Sequence, residues 1–350
     1  MWVVIRTYHP TADGYHPPDT FNMAEITYRE ALKRAMREEM QRDPTVVIWG
    51  EDIVNYNGTG GAYAVTAGLA KEFPGRVRDT PIAEEAIIGV GVGAAMGGMR
   101  PVCEIMTVNF TLVAWDQIVN HAAKQHHMFN GAIKVPLVIR TPNGHGRTAS
   151  THSQNFDSWF ASIPGLKVVA PSTPYDAKGL LKTSIRDDDP VVFLEHLQLY
   201  GTKGDVPDEE YLIPIGESDY KRRGKDVTLV TWGRMAMESL KAARTLVDEG
   251  IDVEIVDLRT LRPLDLSLAL ESIKKTNRAV VVEEGWRSVG LGAELAASLQ
   301  EQAFNDLDAP VARVAGLEVP MPYAKNLERA TLPFAEDVAT AVRAMMQKQY

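Results

Sequence analysis

The stretch that decides the fold is Asp79–Gly98, D-T-P-I-A-E-E-A-I-I-G-V-G-V-G-A-A-M-G-G. It predicts a helix with a marked start. The Thr80 side chain can cap free backbone N–H groups, and proline is favoured at a first helical position, which Pro81 would occupy. Glu84 and Glu85 follow in the first turns, where the positive end of the helix dipole favours carboxylates. The stretch therefore predicts acidic groups held at a helix start.

The same stretch carries glycines four residues apart. Gly89, Gly93 and Gly97 share one helix face at this spacing. Each interior glycine costs roughly 1 kcal/mol relative to alanine, so close approach of another backbone, here a second helix, is the expected compensation. An ordinary buried helix that is rich in small residues explains the spacing equally well, and both interpretations stay open.

The composition is that of a globular protein with room for two cores. The chain has 350 residues, 45% hydrophobic and 24% charged, with 37 basic and 46 acidic side chains that give a net charge of −9. This balance argues against nucleic acid or an anionic membrane surface as the partner. The single cysteine, Cys103, excludes an internal disulfide. We find no secretory signal and no apolar run long enough to span a bilayer, so a cytoplasmic setting is expected.

The order of elements predicts an α/β fold with two domains. Residues 1–22 are rich in turn signals and predict an extended arm. Apolar strands alternate with helices over residues 23–203, which predicts a parallel sheet covered on both faces. One of these helices is expected from about Leu112 to Phe129. A polar segment at 204–224 is expected to be a linker. A second, smaller alternation over 225–350, which includes strands at 227–231 and 253–257, predicts another α/β domain.

Five polar side chains stand where chemistry is expected. Glu51 and Asp52 follow the buried strand V-V-I-W, at the edge of an open sheet where sites form. Glu84 and Glu85 begin the decisive helix, and a buried carboxyl there could exchange protons. His152 lies in a long polar loop rather than in a core. For each acid, a solvated position without a functional role is the alternative.

A dinucleotide site is the competing hypothesis. Gly89–Ala94 fits G-x-G-x-x-A. The residues before it form an acidic turn rather than a strand, and Glu104 follows too early for the ribose contact. On this interpretation the chain would be a non-catalytic nucleotide-binding or scaffold subunit.

Several separated motifs resemble one family. They are V-V-I-W-G-E-D-I, D-T-P-I-A-E, E-I-M-T-V-N-F, D-Q-I-V-N-H-A-A-K, T-H-S-Q, P-G-L-K-V-V-A-P, D-L-R-T-L-R-P-L-D and V-V-V-E-E-G-W-R-S-V-G-L-G-A-E. Over residues 23–335 the chain is similar to the β subunit of the thiamine diphosphate-dependent 2-oxo acid dehydrogenases, the decarboxylating component of pyruvate and branched-chain dehydrogenase complexes. The resemblance implies a pyrimidine-binding domain followed by a transketolase C-terminal domain.

The resemblance also implies roles for individual residues. Glu84 would be the catalytic glutamate, hydrogen-bonded to the aminopyrimidine ring of thiamine diphosphate. Ile82, Met106 and Phe110 would line the pyrimidine pocket. His152 would act near the acyl group during its transfer to a lipoyl arm. In the same way Glu51 resembles an interface acid that couples two active sites through a proton path.

Partners and metals follow from the same resemblance. The family forms an α2β2 heterotetramer that works with a dihydrolipoyl acyltransferase core. This chain lacks the G-D-G motif that helps to hold magnesium and the diphosphate, so the α subunit would hold magnesium and the two chains would share the cofactor. A potassium site is implied at Leu137, Ser184, Ile185, Asp187 and Asp189, where Asp189 replaces a commoner asparagine.

The substrate is expected to be a 2-oxo acid, with pyruvate favoured by the segment E-H-L-Q-L-Y-G-T-K-G-D-V-P. Acetoin and branched-chain 2-oxo acids stay open as alternatives. Val108 stands where many family members carry phenylalanine, and the loop that contains His145 and Arg147 is shorter than in pyruvate-type relatives. Both departures fall near the implied acyl pocket.

Overall fold

The computed structural model describes residues 22–54, 60–146 and 150–347. The predicted arm therefore lies outside the described residues except for Asn22, and so does Arg147. The chain divides into two compact units. We describe each unit by itself.

The first unit comprises residues 23–215 together with Leu261–Pro263. Its strands and helices are, in chain order, β1 (Met23–Thr27), α1 (Tyr28–Arg42), β2 (Val46–Glu51), α2 (Leu69–Glu72), β3 (Val77–Thr80), α3 (Glu84–Met96), β4 (Arg100–Glu104), α4 (Gln125–Met128), β5 (Val138–Pro142), α5 (Asp157–Ala161), β6 (Lys167–Val169), α6 (Pro174–Arg186), β7 (Val191–Glu195) and β8 (Lys203–Pro207).

Its main sheet has seven strands in the order β12-β6-β7-β5-β4-β2-β3, where β12 is Thr260–Arg262. The pairs that join β3, β2, β4, β5, β7 and β6 are all parallel. Strand residues such as Ile48, Val102 and Phe193 are fully buried because helices cover the sheet. A parallel sheet of this kind places all its carboxyl ends at one edge, and the candidate site lies there.

The decisive helix starts later than predicted. Thr80 ends strand β3 rather than capping a helix, and α3 begins at Glu84 after Ala83, which makes no side-chain cap. The prediction that Pro81 occupies the first helical position is therefore wrong. Because the parallel strand takes the chain through Thr80, a short turn separates β3 from α3 and makes Glu84 the first helical residue.

The glycines of α3 are packed differently from the prediction. The tight approach occurs at Gly91, where an added Cβ would lie 2.7 Å from the Cys103 Sγ and 3.1 Å from the Leu137 Cδ1. An added Cβ at Gly93 would meet no described atom outside its own helix within 4 Å, and the nearest atoms to one at Gly89 belong to the Gln117 side chain. Among the described residues, the π-helical turn Gln117–Ala122 approaches α3 at Gly89 through the Gln117 side chain, and no backbone atom outside α3 is among the nearest neighbours of a Cβ at Gly89, Gly93 or Gly97.

Two other segments differ from the expected elements. The helix expected from Leu112 to Phe129 is divided into a 3-10 turn at Val108–Leu112, a π-helical turn at Gln117–Ala122 and the short α4. The expected linker 204–224 contains most of β8, which pairs antiparallel with β1, and also strand β9 (Asp219–Arg222).

The second unit begins at Gly216. After β9, its elements are β10 (Val227–Thr231), α7 (Arg234–Val247), β11 (Val253–Asp257), α8 (Ser267–Thr276), β13 (Ala279–Trp286), α9 (Leu291–Gln302), β14 (Ala312–Gly316), α10 (Lys325–Thr331) and α11 (Ala335–Gln347). Its sheet has the order β14-β13-β10-β11-β9, parallel except at β9. The predicted two-domain α/β class is confirmed. Across the described helices, none is both long and apolar enough to cross a membrane.

Candidate active site

The site residues gather at the carboxyl edge of the first sheet because of strand register. Glu51 at the end of β2 pairs with Thr80 of β3, and Gly50 pairs with Glu104 of β4. A Cβ on Gly50 would lie 2.6 Å from the Glu104 carbonyl oxygen, so only glycine allows this approach. The turn after Thr80 then brings the start of α3, and with it Glu84, beside the end of β2.

Glu84 and its neighbour Glu85 share the first turn of α3 but differ in environment. Glu84 is buried, with 9% of its surface exposed, whereas Glu85 is exposed. The helix is tied to the sheet at this point, since the Trp49 indole N–H donates to the carbonyl of Ile87 at 3.0 Å. The first turn therefore holds one carboxyl inside the protein and one in water.

Glu51 lies close enough to Glu84 for their charges to interact. Partial burial raises the pKa of the Glu51 carboxyl above its ordinary value of 4.5, and the charges of Asp52 and Glu84 raise it further. A carboxyl with a raised pKa next to a second carboxyl can exchange a proton with it. The structure thus places Glu51 and Glu84 close enough that the charge of Glu84 affects the ionisation of Glu51.

The other predicted pocket residues lie on the segment that follows β4. Met106 and Phe110 are half-buried, and the Met106 carbonyl accepts a hydrogen bond from the Tyr63 hydroxyl. The Phe110 ring meets the His152 ring edge-on, with 5.3 Å between centroids. Ile82, in contrast, is 73% exposed, so the described side chains do not enclose it.

His152 is held at the surface end of this cluster. It ends the 3-10 turn Ser150–His152, and its Nδ1 lies 3.1 Å from the Thr151 hydroxyl, a pair in which either atom can donate. The His152 ring also packs on the Phe110 ring. The structure thus places His152 beside Phe110, a residue of the predicted pyrimidine pocket.

The residues present fit the pyrimidine half of a thiamine site. A buried carboxyl at Glu84 can hydrogen-bond a ring nitrogen, and Phe110 offers an aromatic face. Two buried acceptors in the turn that carries Phe110, Thr107 Oγ1 and Asn109 Oδ1, make no hydrogen bond with the described protein atoms. Buried polar atoms of native proteins are normally paired, so this turn has capacity for a polar ligand or water.

One buried charge cluster was missed from the sequence. The Arg140 guanidinium donates to both carboxylate oxygens of Glu195, at 2.6 and 3.0 Å, and to Glu104 at 2.8 Å. The Tyr200 hydroxyl donates to Glu195 at 2.6 Å. Burial raises the pKa of Glu104 and Tyr200, and Glu195 raises that of Tyr200 further. Charged residues that end apolar strands were the available signal, since the same rule selected Glu51.

The residues of the implied potassium site gather at the end of α6. The carbonyls of Ile185 and Asp187 accept from Arg100 at 3.2 and 2.8 Å, and the Leu137 carbonyl accepts from the Val191 amide. The Ser184 hydroxyl donates to the Leu180 carbonyl within the helix.

The carboxylates at this position already have cationic partners. Lys167 Nζ lies 2.7 Å from both oxygens of Asp187 and 3.2 Å from Asp189, and His126 Nδ1 lies 2.8 Å from Asp189. Burial opposes ionisation, yet the hydrogen bonds from His126 and Lys167 lower the pKa of Asp189. The donor set therefore fits a monovalent cation only through backbone carbonyls.

The structure overturns the dinucleotide alternative. Gly89–Ala94 lies inside α3, beyond its first turn, rather than in the tight turn between a strand and a helix. A phosphate-binding glycine motif needs backbone N–H groups left free at a helix start, and those of this segment belong to the helix interior.

Comparison with known proteins gives the family. Residues 24–203 match the transketolase pyrimidine binding domain, and residues 216–338 match the transketolase C-terminal domain. Pyruvate dehydrogenase E1 component subunit beta of Rhizobium meliloti (strain 1021) is 50% identical over 95% of this chain and 72% of its own length. The Rickettsia felis subunit of the same name is 50% identical over 91% of this chain and 98% of its own.

A third relative is the mitochondrial E1 subunit beta of Dictyostelium discoideum, which is 47% identical over 94% of this chain and 93% of its own length. Among solved structures, a split gene transketolase described as an inactive beta4 tetramer superposes with a TM-score of 0.75, at 25% identity, over 93% of this chain and all of its own. The chain therefore belongs to the β subunits of the thiamine diphosphate-dependent, pyruvate-type 2-oxo acid dehydrogenases, the E1 component of pyruvate dehydrogenase.

Proposed function

We propose that this chain supplies the proton-handling side of a thiamine diphosphate site that it shares with an α subunit in an α2β2 heterotetramer. The observation that carries the proposal is the buried Glu84 carboxyl at the start of α3, next to Glu51. The sequence contains this acid but no G-D-G motif to bind the diphosphate. The α subunit would hold magnesium and the diphosphate.

The surface beside Glu84 supports a partner chain. A groove of about 440 Å³ runs along the open edge strand β3 and helix α3. Ile82 and Val90 next to it are 73% and 61% exposed, and the space over Gly93 is open. Contiguous apolar surface of this kind marks interaction sites in soluble proteins. The α subunit would cover this face, including the glycines.

Bound thiamine diphosphate would supply the electron sink for decarboxylation of a 2-oxo acid. The Glu84 carboxyl would hydrogen-bond the aminopyrimidine ring nitrogen and fix its tautomer, while Met106, Phe110 and Ile82 would line the ring. Glu51 would pass a proton to and from this carboxyl. His152 would hold the acyl group in line for transfer to a lipoyl arm of the acyltransferase core.

The experiment is co-expression with the α chain encoded in the same organism. We expect decarboxylation of pyruvate, measured with a dye acceptor, from the two-chain preparation and none from this chain alone. Turnover by the chain alone would contradict the shared site. A panel of acetoin and branched-chain 2-oxo acids tests the identity of the substrate. Faster turnover of either than of pyruvate would contradict the assignment of pyruvate as the substrate.

Glu51 should show the stability signature of a functional acid. Because its folded-state pKa is raised, its charge destabilises the fold above that pKa, and the cost vanishes below its ordinary value of 4.5, where the carboxyl is protonated in both states. We expect Glu51→Gln to raise the melting temperature at pH 8 and leave it unchanged at about pH 3.5, below the ordinary pKa of 4.5. If Glu51→Gln and the unmodified protein had the same melting temperature at both pH values, the raised pKa would be contradicted.

Potassium should stabilise the first unit if the carbonyls of Leu137, Ser184, Ile185, Asp187 and Asp189 hold it. A ligand at 100 times its Kd adds about 2.7 kcal/mol to the free energy of unfolding. We expect a higher melting temperature in potassium chloride than in sodium chloride at equal ionic strength. The same melting temperature in both salts would contradict the potassium site. Asp187 and Asp189 would then serve only as partners of Lys167 and His126.

Two further assignments stay predictions. We retain the domains 23–203 and 225–350, joined through 204–224; the domain matches and the structural division at Gly216 fall close to these bounds. The cytoplasmic setting is also retained as a prediction, although the Dictyostelium relative is named mitochondrial.

A further inference from the structure

Two sequence motifs meet at the candidate site through one pair of amide side chains. The Asn109 amide N–H donates to the Gln154 Oε1, and this bond joins the turn after β4 to the loop that carries His152. Asn109 is buried, 6% exposed, and lies next to Phe110. Gln154 lies two residues beyond His152. The link therefore runs parallel to the ring contact between Phe110 and His152.

The base of the loop is closed without the Gln154 side chain. The Gly144 amide donates to the backbone carbonyl of Gln154 at 2.8 Å. Asn143 provides a second closure, since its Oδ1 accepts from the Phe156 amide at 3.0 Å and its Nδ2 donates to Asp157 at 2.7 Å. These bonds use the backbone or Asn143, so the loop should keep its path when the side chain of Gln154 is replaced.

The Gln154 side chain is thus available for positioning. In the part of the chain that the structure describes, its one hydrogen bond is the bond from Asn109. We propose that Gln154 is a positioning residue that fixes His152 against the cofactor-side residue Phe110, and that acyl transfer to the lipoyl arm depends on it more than decarboxylation does. The inference rests on the role proposed for His152.

The reason lies in the demands of the two steps. Decarboxylation depends on groups that face the cofactor rings, whereas transfer to a lipoyl arm requires a group held in line with an incoming thiol. A displacement of about 1 Å in such a group can cost as much as 100-fold in rate. A ring contact alone does not fix the position of the His152 ring along the Phe110 ring. The hydrogen bond between Asn109 and Gln154 is directional, so it restricts the position of the loop that carries His152.

The test compares two rates in the reconstituted α–β assembly. One is pyruvate decarboxylation with a dye acceptor, and the other is reductive acetylation of a lipoyl domain. We expect Gln154→Met, which keeps the length but removes the acceptor, to lower acetylation by about tenfold and leave dye reduction within about twofold. Gln154→Glu retains an acceptor for the Asn109 amide and should restore most of the acetylation rate.

Asn155→Ala is the matched control, because among the described residues the Asn155 Oδ1 accepts one hydrogen bond, from the Asp157 amide at 3.1 Å within the loop. It should leave the ratio of the two rates unchanged. An equal fall of both rates in Gln154→Met would overturn the inference, as would an unchanged ratio. His152→Ala separates the two proposals: if it leaves acetylation intact, the proposed role of His152 fails, and if it alone lowers acetylation, only the role of Gln154 fails.

Discussion

Replacing Glu84 by glutamine should lower pyruvate decarboxylation by the α–β assembly by about 1,000-fold, with thiamine diphosphate still bound. Glutamine keeps the shape of the side chain but cannot exchange a proton with the aminopyrimidine ring, and general acid–base groups contribute about 100- to 10,000-fold. Exchange of the cofactor's thiazolium C2 proton with D2O, followed by NMR after rapid quenching, isolates this step. We expect that exchange to slow in parallel with turnover.

The control is the neighbouring acid on the same helix turn. Glu85 is exposed, whereas Glu84 is 9% exposed, so Glu85→Gln removes the same charge from the same helix start without entering the site. It should leave the exchange rate within about twofold, since an exposed charge near a helix terminus contributes only about 0.3–1 kcal/mol. Similar losses in the two variants would point to the helix dipole and contradict a catalytic role for Glu84.

Replacing Arg140 by methionine should destabilise the first unit by about 3–5 kcal/mol, the usual cost of leaving a buried charge without its partner. Arg140 is 1% exposed and is the shared partner of Glu104 and Glu195. Its removal takes from two buried carboxyls the counter-charge that the described residues give them. Urea denaturation monitored by circular dichroism measures the change.

Arg37→Met gives the matched surface comparison. The Arg37 Nε lies 2.7 Å from Glu72, but both side chains are about one-third exposed, and such pairs contribute about 0–1 kcal/mol. If Arg140→Met does not fold, the variant that also carries Glu104→Gln and Glu195→Gln should recover a large part of the lost stability. Equal effects of Arg37→Met and Arg140→Met would show that the cluster carries no special energy.

Much of the fold could be predicted from local sequence. Strands β10 and β11 are both short apolar runs bounded by turn signals, and the structure places them at residues 227–231 and 253–257 as predicted. Helix α1 buries Leu32, Met36 and Met40 at helical spacing. In these segments burial and intrinsic preference agree, so the pattern alone decides the element.

Other features depend on contacts far along the chain. Thr80 is a good capping residue, yet pairing with β2 makes it the end of a strand. The glycine that is tightly packed is Gly91, because Cys103 of the next strand lies beneath it, and spacing within α3 could not reveal this. The helix expected over Leu112–Phe129 is broken into short turns by tertiary packing. Residue preference is a weak guide where such contacts dominate.

In the candidate site, too, some residues could be identified from the sequence and some contacts could not. Glu84, Glu51, Phe110 and His152 could be selected from motifs, and the structure brings Glu51 toward Glu84 and His152 toward Phe110. The Arg140 cluster and the bond from Asn109 to Gln154 join segments that are 36 to 55 and 45 residues apart. Pairs at such separations cannot be assigned from one sequence, since the fold sets which strand ends adjoin.

The most direct measurement is an experimental structure of the α–β assembly with thiamine diphosphate bound. We predict a Glu84 carboxylate oxygen at hydrogen-bond distance, about 2.6–3.2 Å, from the aminopyrimidine ring nitrogen, with the diphosphate and its magnesium held by the other chain. A Glu84 side chain that faces solvent, with a different residue bonded to that nitrogen, would contradict the account.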